Sequence, residues 1–335
     1  MKILIVSGFL GAGKTTFIKE LIRHISVRPV IMENEYGETD LDSRDIKQSA
    51  PEQKDMKILE FMEGCVCCTM KDRFVNSVLT IFSGLDPEYL VIEPTGVGRL
   101  SNILKNLKPI VHDKISILKP VVVLTPRTYD QNMSEWPELY TDQIANAGTV
   151  VLSKVENENP AVLENTYEKI RKINPDAEIL TEHYSTRPDT WWHELMAMPM
   201  EESAVIHETA EGAALNQISL KTARLHRPAE LIMLLEDCVR GGFGRIARAK
   251  GVIPAGGEML RFDLADRQYA VTGAEDEKSQ CVFIGTDLDE EALCQRLGTS
   301  LEDEKLRISS FSFSPQRKHD PKEKTIKFPF KDQHC

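Results

Sequence analysis

Long apolar runs are missing from this 335-residue chain. Nowhere do about 18 consecutive apolar residues occur, so no membrane-spanning helix is expected. The opening run Ile3-Leu4-Ile5-Val6 is too short for a secretory leader, and no small-residue cleavage site follows it. A surplus of basic residues is missing as well. The formal net charge is −11 and the pI about 5.4, which argues against a nucleic-acid partner, because binding a phosphate backbone needs a basic face. The pattern of a disulfide framework is absent too: the seven cysteines are an odd number, and three of them crowd into four positions. Reduced thiols in a cytoplasmic protein are the expectation. The eight histidines are scattered, without H-x-x-x-H or a His-rich tract, and none is assigned as a ligand. Neither an internal repeat nor a low-complexity tract is evident.

What is present is ordinary globular composition, 41% apolar and 28% charged, with length for about two domains. The first half alternates short β-rich runs with helical stretches, the sign of an α/β fold with a mostly parallel sheet. Strands are expected over 2–7, 29–33, 56–61, 88–93, 117–124, 149–152 and 178–180, with helices over 14–25, 73–82 and 159–173. The strands are nearly continuous apolar runs, as when helices cover both sheet faces. Around residues 198–217 the pattern breaks into a polar, acidic, Ala-rich linker. Beyond it a smaller α+β domain is expected. Its strands fall over 218–225, 245–252, 259–272, 280–285 and 308–313, and its helices start at Pro228 and span 290–297. The helix at Pro228 carries Leu231, Leu234, Leu235 and Cys238 on one face. The division is therefore 1–200, a linker 201–214, a second domain 215–315 and a Lys/Pro-rich tail 316–335, in which His334-Cys335 is read as free chain.

Gly8-Phe9-Leu10-Gly11-Ala12-Gly13-Lys14-Thr15 matches G-x-x-x-x-G-K-[ST] at every fixed position. An apolar strand leads in and a helical pattern leads out. Glycines let backbone N–H groups turn around phosphate oxygens, and the helix starting near Gly13 adds its positive dipole end. Lys14 is expected to reach the β- and γ-phosphates, and Thr15 to offer its hydroxyl to Mg²⁺. Glu93 ends the strand Tyr89-Leu90-Val91-Ile92-Glu93, where ligands of parallel sheets gather. It is expected in the Mg²⁺ shell or beside the attacking water, with Gly96 as the pivot of a γ-phosphate-sensing loop. Lys14 and Glu93 are thus the catalytic candidates. The segment Glu33-Asn34-Glu35-Tyr36-Gly37-Glu38 is a candidate first switch, with Glu35 near the metal; a solvated acidic loop is the plainer reading.

Cys65-Val66-Cys67-Cys68 follows the third strand. Thiolates at i, i+2 and i+3 in a tight loop converge on one soft cation, and Gly64 supplies flexibility. Zn²⁺ accepts such sulfur ligands, and Cu(I) would too. Three thiolates without an evident fourth ligand suit an open, transferring site. A C-x-x-C redox pair and plain packing of small hydrophobes are the competing readings. Cys238, Cys281 and Cys294 are isolated on apolar faces and read as core.

With both motifs in view the chain resembles the CobW-like family of GTP-dependent metal chaperones, nearly along its whole length. Gly8 through Thr16 is similar to that family's Walker A. Glu33 to Glu38 resembles its Asn-Glu-aromatic-Gly-Glu switch, Cys65 to Cys68 its C-x-C-C motif, and Glu93-Pro94-Thr95-Gly96 its E-x-x-G Walker B. Asp142-Gln143-Ile144-Ala145 is similar to the element before the base-recognition strand. His226-Arg227-Pro228 and Val282-Phe283-Ile284-Gly285 match places in the family's C-terminal module. The guanine-reading Asn-Lys-x-Asp departs here to Ser153-Lys154-Val155-Glu156. Lys154 keeps a stem for stacking, Glu156 keeps a carboxylate for guanine, and Ser153 loses the amide. A second departure is Leu124-Thr125-Pro126, where the family tends to place an Asp.

The resemblance implies a GTPase that uses Mg²⁺ and carries Zn²⁺, with Co²⁺ as another cargo. Gly8, Gly11, Ala12, Gly13, Lys14, Thr15, Thr16, Lys154 and Glu156 would bind nucleotide; Cys65, Cys67 and Cys68 the cargo; Thr15 and Glu35 the Mg²⁺. The implied partner is a client apo-metalloprotein, with a second copy of the chain as the other candidate. Two rival classes stay open: an activator of a metalloenzyme or corrinoid protein in which the cysteines are structural, and a P-loop ATPase or small-molecule kinase.

Overall fold

The structure is a computed structural model and describes residues 1–34, 58–61, 71–201, 203–209, 215–274 and 278–299. Its first sheet grows from β1 (Lys2–Ser7), whose side chains alternate between two cores. Ile3 and Ile5 join one, and Leu4 and Val6 the other. The first core is roofed by α2 (Lys71–Leu85), α3 (Leu100–Leu107), α4 (Tyr129–Glu135), α5 (Pro137–Ala145) and α6 (Pro160–Ile173), through residues such as Val78, Leu104, Tyr129, Tyr140 and Ile170. The second is roofed by α1 (Lys14–His24), with Phe17 and Leu21, and by Trp192 of α7 (Asp189–Leu195). A strand with helices over both faces needs an apolar residue at every position, which is why β1 reads as an unbroken run. Each fully buried Leu or Ile is worth about 1.5–3 kcal/mol against its exposed state.

The other strands of this sheet are β2 (Val30–Asn34), β3 (Ile58–Phe61), β4 (Tyr89–Glu93), β5 (Ser116–Ile117), β6 (Val121–Leu124), β7 (Thr149–Leu152) and β8 (Glu178–Leu180). Their order is β3-β2-β4-β1-β6-β7-β8, with β5 beside β1, and every pair is parallel. β1 therefore sits mid-sheet, and the loop leaving its carboxyl end opens into the crevice where such sheets bind ligands. One strand expected over 117–124 is two. Pro120 has no N–H to continue the ladder, and the backbone there turns to other partners. Lys119 donates to the Met198 carbonyl, and the Pro120 carbonyl accepts from Gly148 and Thr149.

The second sheet is antiparallel, in the order β12-β11-β10-β13-β9. Its strands are β9 (Asn216–Leu220), β10 (Arg245–Ala255), β11 (Glu258–Ala265), β12 (Gln268–Gly273) and β13 (Gln280–Thr286). α8 (Pro228–Val239) and α9 (Glu290–Arg296) cover one face through Leu231, Leu234, Leu235, Leu293 and Cys294. The strand expected over 218–225 ends early, at Leu220. The single strand expected over 259–272 is a hairpin, with Asp266 and Arg267 as its two-residue turn. Both take left-handed backbone, φ 52 and 57, the geometry that matches strand twist in a tight hairpin. For residues other than glycine this costs about 1–2 kcal/mol each, so surrounding contacts must hold it.

The polar stretch before β9 is pinned to the first sheet's domain. Met200 N–H donates to the Ile117 carbonyl. His207 exchanges bonds with the Asn146 side chain, and the Thr209 carbonyl accepts from Arg99. Ala247, Val282 and Ile284 of the second sheet pack into the core around the first. Among the described residues no helix is long and apolar enough to cross a membrane. The strand expected over 308–313 lies outside the described residues.

Candidate functional site

The phosphate loop runs from Gly8 to Thr15 between β1 and α1. Gly8 has φ 138, and a Cβ there would lie 2.2 Å from the Val123 carbonyl oxygen, so only glycine passes β6 at this point. Gly13, at φ 95, caps α1 without any side-chain bond. The first amides of the helix thus keep their donor capacity for an anion. Lys14 is buried and folds back over the loop, its Nζ donating to the carbonyls of Gly8 at 3.1 Å and Phe9 at 3.2 Å. The Thr15 hydroxyl donates to Glu93, at 2.9 Å from Oε1 and 3.1 Å from Oε2. Thr16, next along the helix, is exposed.

Glu93 is brought to Thr15 by the sheet: β4 is the parallel neighbour of β1, and both end at the same edge. Glu33 lies opposite Glu93 in the register and is buried, with Glu60 opposite Glu33 on the far side. The turn that follows Glu93 rests directly on the phosphate loop. A Cβ on Gly96 would be 2.5 Å from the Leu10 nitrogen and 2.8 Å from the Phe9 carbonyl carbon. Gln143 braces that turn, donating to the carbonyls of Gly98 at 3.2 Å and Gly96 at 3.4 Å. Beside it Asp142 is wholly buried and accepts from both the amide and the hydroxyl of Ser101 at the start of α3. Burial pushes the Asp142 carboxyl above its ordinary range, and the two Ser101 bonds partly offset this.

The third part of the site follows β7. Ser153 is buried, and its hydroxyl reaches the Ala12 carbonyl of the phosphate loop at 2.6 Å and the Leu124 carbonyl at 3.2 Å. The lost amide is thus replaced by a hydroxyl that ties this loop to the phosphate loop. Lys154 has left-handed backbone, φ 56, and an exposed side chain whose Nζ stands 4.0 Å from Asp266. Glu156 is exposed and pairs with His183 at 3.2 Å, a ring stacked on Tyr184. Asp266 and His183 are the neighbours that the motif reading missed. A two-residue Asp-Arg turn within an alternating run was the one available signal for the first. Glu35, Cys65, Cys67 and Cys68 lie outside the described residues. Cys238, Cys281 and Cys294 are buried thiols outside any disulfide, as expected of core cysteines.

The parallel sheet, its central strand and the phosphate loop define a P-loop nucleoside-triphosphate hydrolase. More narrowly, the chain belongs to the family described as "CobW/HypB/UreG, nucleotide-binding domain", which matches residues 2–181. The "Cobalamin synthesis protein cobW C-terminal domain" matches residues 215–301. Among relatives, the chain is 25% identical over 311 residues to "Zinc chaperone YjiA" of Escherichia coli (strain K12), covering 85% of this chain and 94% of that one. It is 31% identical over 159 residues to "Zinc chaperone YeiR" of the same organism, 47% of each chain. The crystal structure of Zn(II)-bound YjiA GTPase from E. coli aligns over 89% of this chain and 98% of that chain, at 18% identity and a TM-score of 0.43.

Proposed function

We propose that the chain is a GTP-driven metallochaperone that binds a transition metal, zinc first, through Cys65, Cys67 and Cys68 and passes it to a client apo-metalloprotein. The observation that carries this reading is the shared edge of β2, β3 and β4. There Glu93 meets Thr15, and β3 ends at Phe61 in register with Asn34, only a few residues before Cys65 in the sequence. Relatives named zinc chaperones support the choice of cargo. The proposed division of labour has residues 1–200 handle nucleotide and cargo, with 201–214 joining them to 215–315, the candidate surface for the client or a second copy.

In this reading the amides of Gly11, Ala12, Gly13, Lys14, Thr15 and Thr16 cradle the phosphates, and Lys14 turns from its loop carbonyls to neutralise charge developing on the γ-phosphate. Thr15 and Glu93 already bring a hydroxyl and a carboxylate together, hard oxygen donors that fit Mg²⁺, with Glu35 as the further acid. Held by Thr15, Glu93 and Glu35, a bound Mg²⁺ would supply positive charge against the phosphate oxygens. Glu93 also orients the attacking water, and Gly96 lets its turn follow the γ-phosphate. The Lys154 stem stacks on the base, and Glu156, released from His183, accepts the guanine N–H groups.

Zn²⁺ titrations against a chromophoric chelator test the reading, run without nucleotide, with GDP and with a non-hydrolysable GTP analogue. Affinities should differ between the states by roughly 5- to 150-fold, a typical coupling. Replacing the three cysteines with serine should abolish the tight site in every state. Equal zinc affinity in all three states would refute nucleotide-driven delivery.

A further inference from the structure

The tip of the β11–β12 hairpin rests on the phosphate loop of the other domain. A Cβ on Gly11 would come within 2.8 Å of the Ala265 Cβ and 3.8 Å of an Asp266 carboxylate oxygen. The Asp266 side chain is only 9% exposed, with Lys154 Nζ 4.0 Å away. Burial pushes its pKa up, while Lys154, side-chain bonds from Asn132 and Thr128, and the more distant Arg248 pull it down. The hydroxyl of Tyr140, also buried, is pushed up by its burial and, to a smaller extent, by the same carboxylate. Contacts on both flanks hold the tip in place. Arg267 donates to the Val239 carbonyl at 3.0 Å and stands 4.0 Å from Glu135. The Arg245 guanidinium lies over Trp136, whose ring centroid is 6.2 Å from that of Phe9 in the phosphate loop.

We propose that Asp266 is a residue of the nucleotide site supplied by the C-terminal sheet, and that its carboxylate weakens nucleotide retention by opposing the phosphates and by holding Lys154. This rests on the reading that nucleotide occupies the Gly8–Thr15 loop. The loop's amides and Lys14 gather positive potential for phosphate, and a desolvated carboxylate set against Gly11 subtracts from it. Lys154 is the cation that most offsets Asp266. A lysine stem drawn onto the base leaves the carboxylate less compensated, in a place that water does not reach freely. Binding and docking of the hairpin are therefore antagonistic, and by linkage each weakens the other by the same factor. A carboxylate so placed makes release of spent nucleotide faster than the loop alone would allow.

The test uses the full chain and a fluorescent GDP, reading its dissociation rate and the Kd values of GDP and GTP. Asp266→Asn keeps the shape and removes the charge. It should tighten both nucleotides and slow release, by roughly 5- to 150-fold if the coupling is of ordinary size. Glu258→Gln makes the same charge change at an exposed position of β11 and should alter neither quantity. Asp266→Ser serves as a second neutral variant should the asparagine fold poorly. A purely structural Asp266 would give a lower melting temperature with equal or weaker nucleotide binding, which overturns the inference. Lys14→Ala separates the two readings. If it loses nucleotide while Asp266→Asn changes nothing, only this inference falls; if it binds as the parent does, the site reading falls with it.

Discussion

Ser153→Ala removes one oxygen from a buried junction, and the structure sets the size of the effect. The hydroxyl donates to the Ala12 carbonyl at 2.6 Å, with the Leu124 carbonyl at 3.2 Å as a second acceptor. Both Ser153 and Ala12 are buried, so water does not readily replace the donor. Stranding a buried acceptor costs about 1–3 kcal/mol. For a domain of about 150–250 residues each kcal/mol lowers the melting temperature by roughly 2–4 °C, so the variant should melt roughly 2–12 °C lower. The same bond fixes the phosphate loop before any ligand arrives. If the variant loop must be re-ordered on binding, nucleotide affinity falls too, by about tenfold for each 1.4 kcal/mol so spent. Thermal melts with and without GDP measure both effects: the apo midpoint drops and the GDP-induced gain shrinks. An unchanged apo midpoint would refute the claim that this hydroxyl ties the two loops together.

Gly96→Ala should leave nucleotide binding largely intact and slow single-turnover phosphate release by about 10²-fold, the cost of a roughly 1 Å misplacement at a reacting centre. The added methyl would stand 2.5 Å from the Leu10 backbone nitrogen, so the turn carrying Glu93 must lift; a parental rate would contradict this packing. Native-state titration with a thiol reagent at pH 8 should leave Cys238, Cys281 and Cys294 unmodified until denaturant is added, because all three are buried. Burial, aided by Asp237, also holds the Cys238 thiol at about 12. Four of the seven cysteines are then the most that react, and a higher native count would sink the prediction.

The parts of the fold that were legible in the sequence are those whose signal is local. β1 and β7 fall where their apolar runs lie, since a strand roofed on both sides needs an unbroken run. α8 begins at Pro228 because proline suits the first helical turn. The phosphate loop was legible for the same reason, being one contiguous motif. The β11–β12 turn was not. Alternation from Leu260 to Leu264 gives way to the polar Asp266-Arg267-Gln268, but that stretch carries no glycine to mark a left-handed turn. The polar stretch after residue 198 reads as a loose linker by composition, yet its backbone pairs with Ile117 and with the Asn146 side chain, contacts that no local pattern announces. Asp266 reaches Lys154, and His183 reaches Glu156, only through the packing of distant segments.

Those two ion pairs decide how the altered base-recognition loop should be read. Judged by its letters, Ser153-Lys154-Val155-Glu156 is a weakened guanine reader. In the structure Ser153 holds the phosphate loop, a task of the backbone rather than of the base, so its change need not cost selectivity. Glu156 and His183 form a pair open to solvent, worth at most about 1 kcal/mol. A carboxylate bonded to guanine's N–H groups is worth about 1.5–3 kcal/mol, so Glu156 gains by leaving histidine for the base. Lys154 differs, because its partner is buried and comes from the other sheet. Drawing the lysine away leaves a largely buried carboxylate less compensated, with Asn132, Thr128 and Arg248 still acting on it. In the proposed reading, selectivity for the base therefore falls mainly to Glu156, while the grip on the nucleotide as a whole would answer, through Lys154, to where the C-terminal sheet sits.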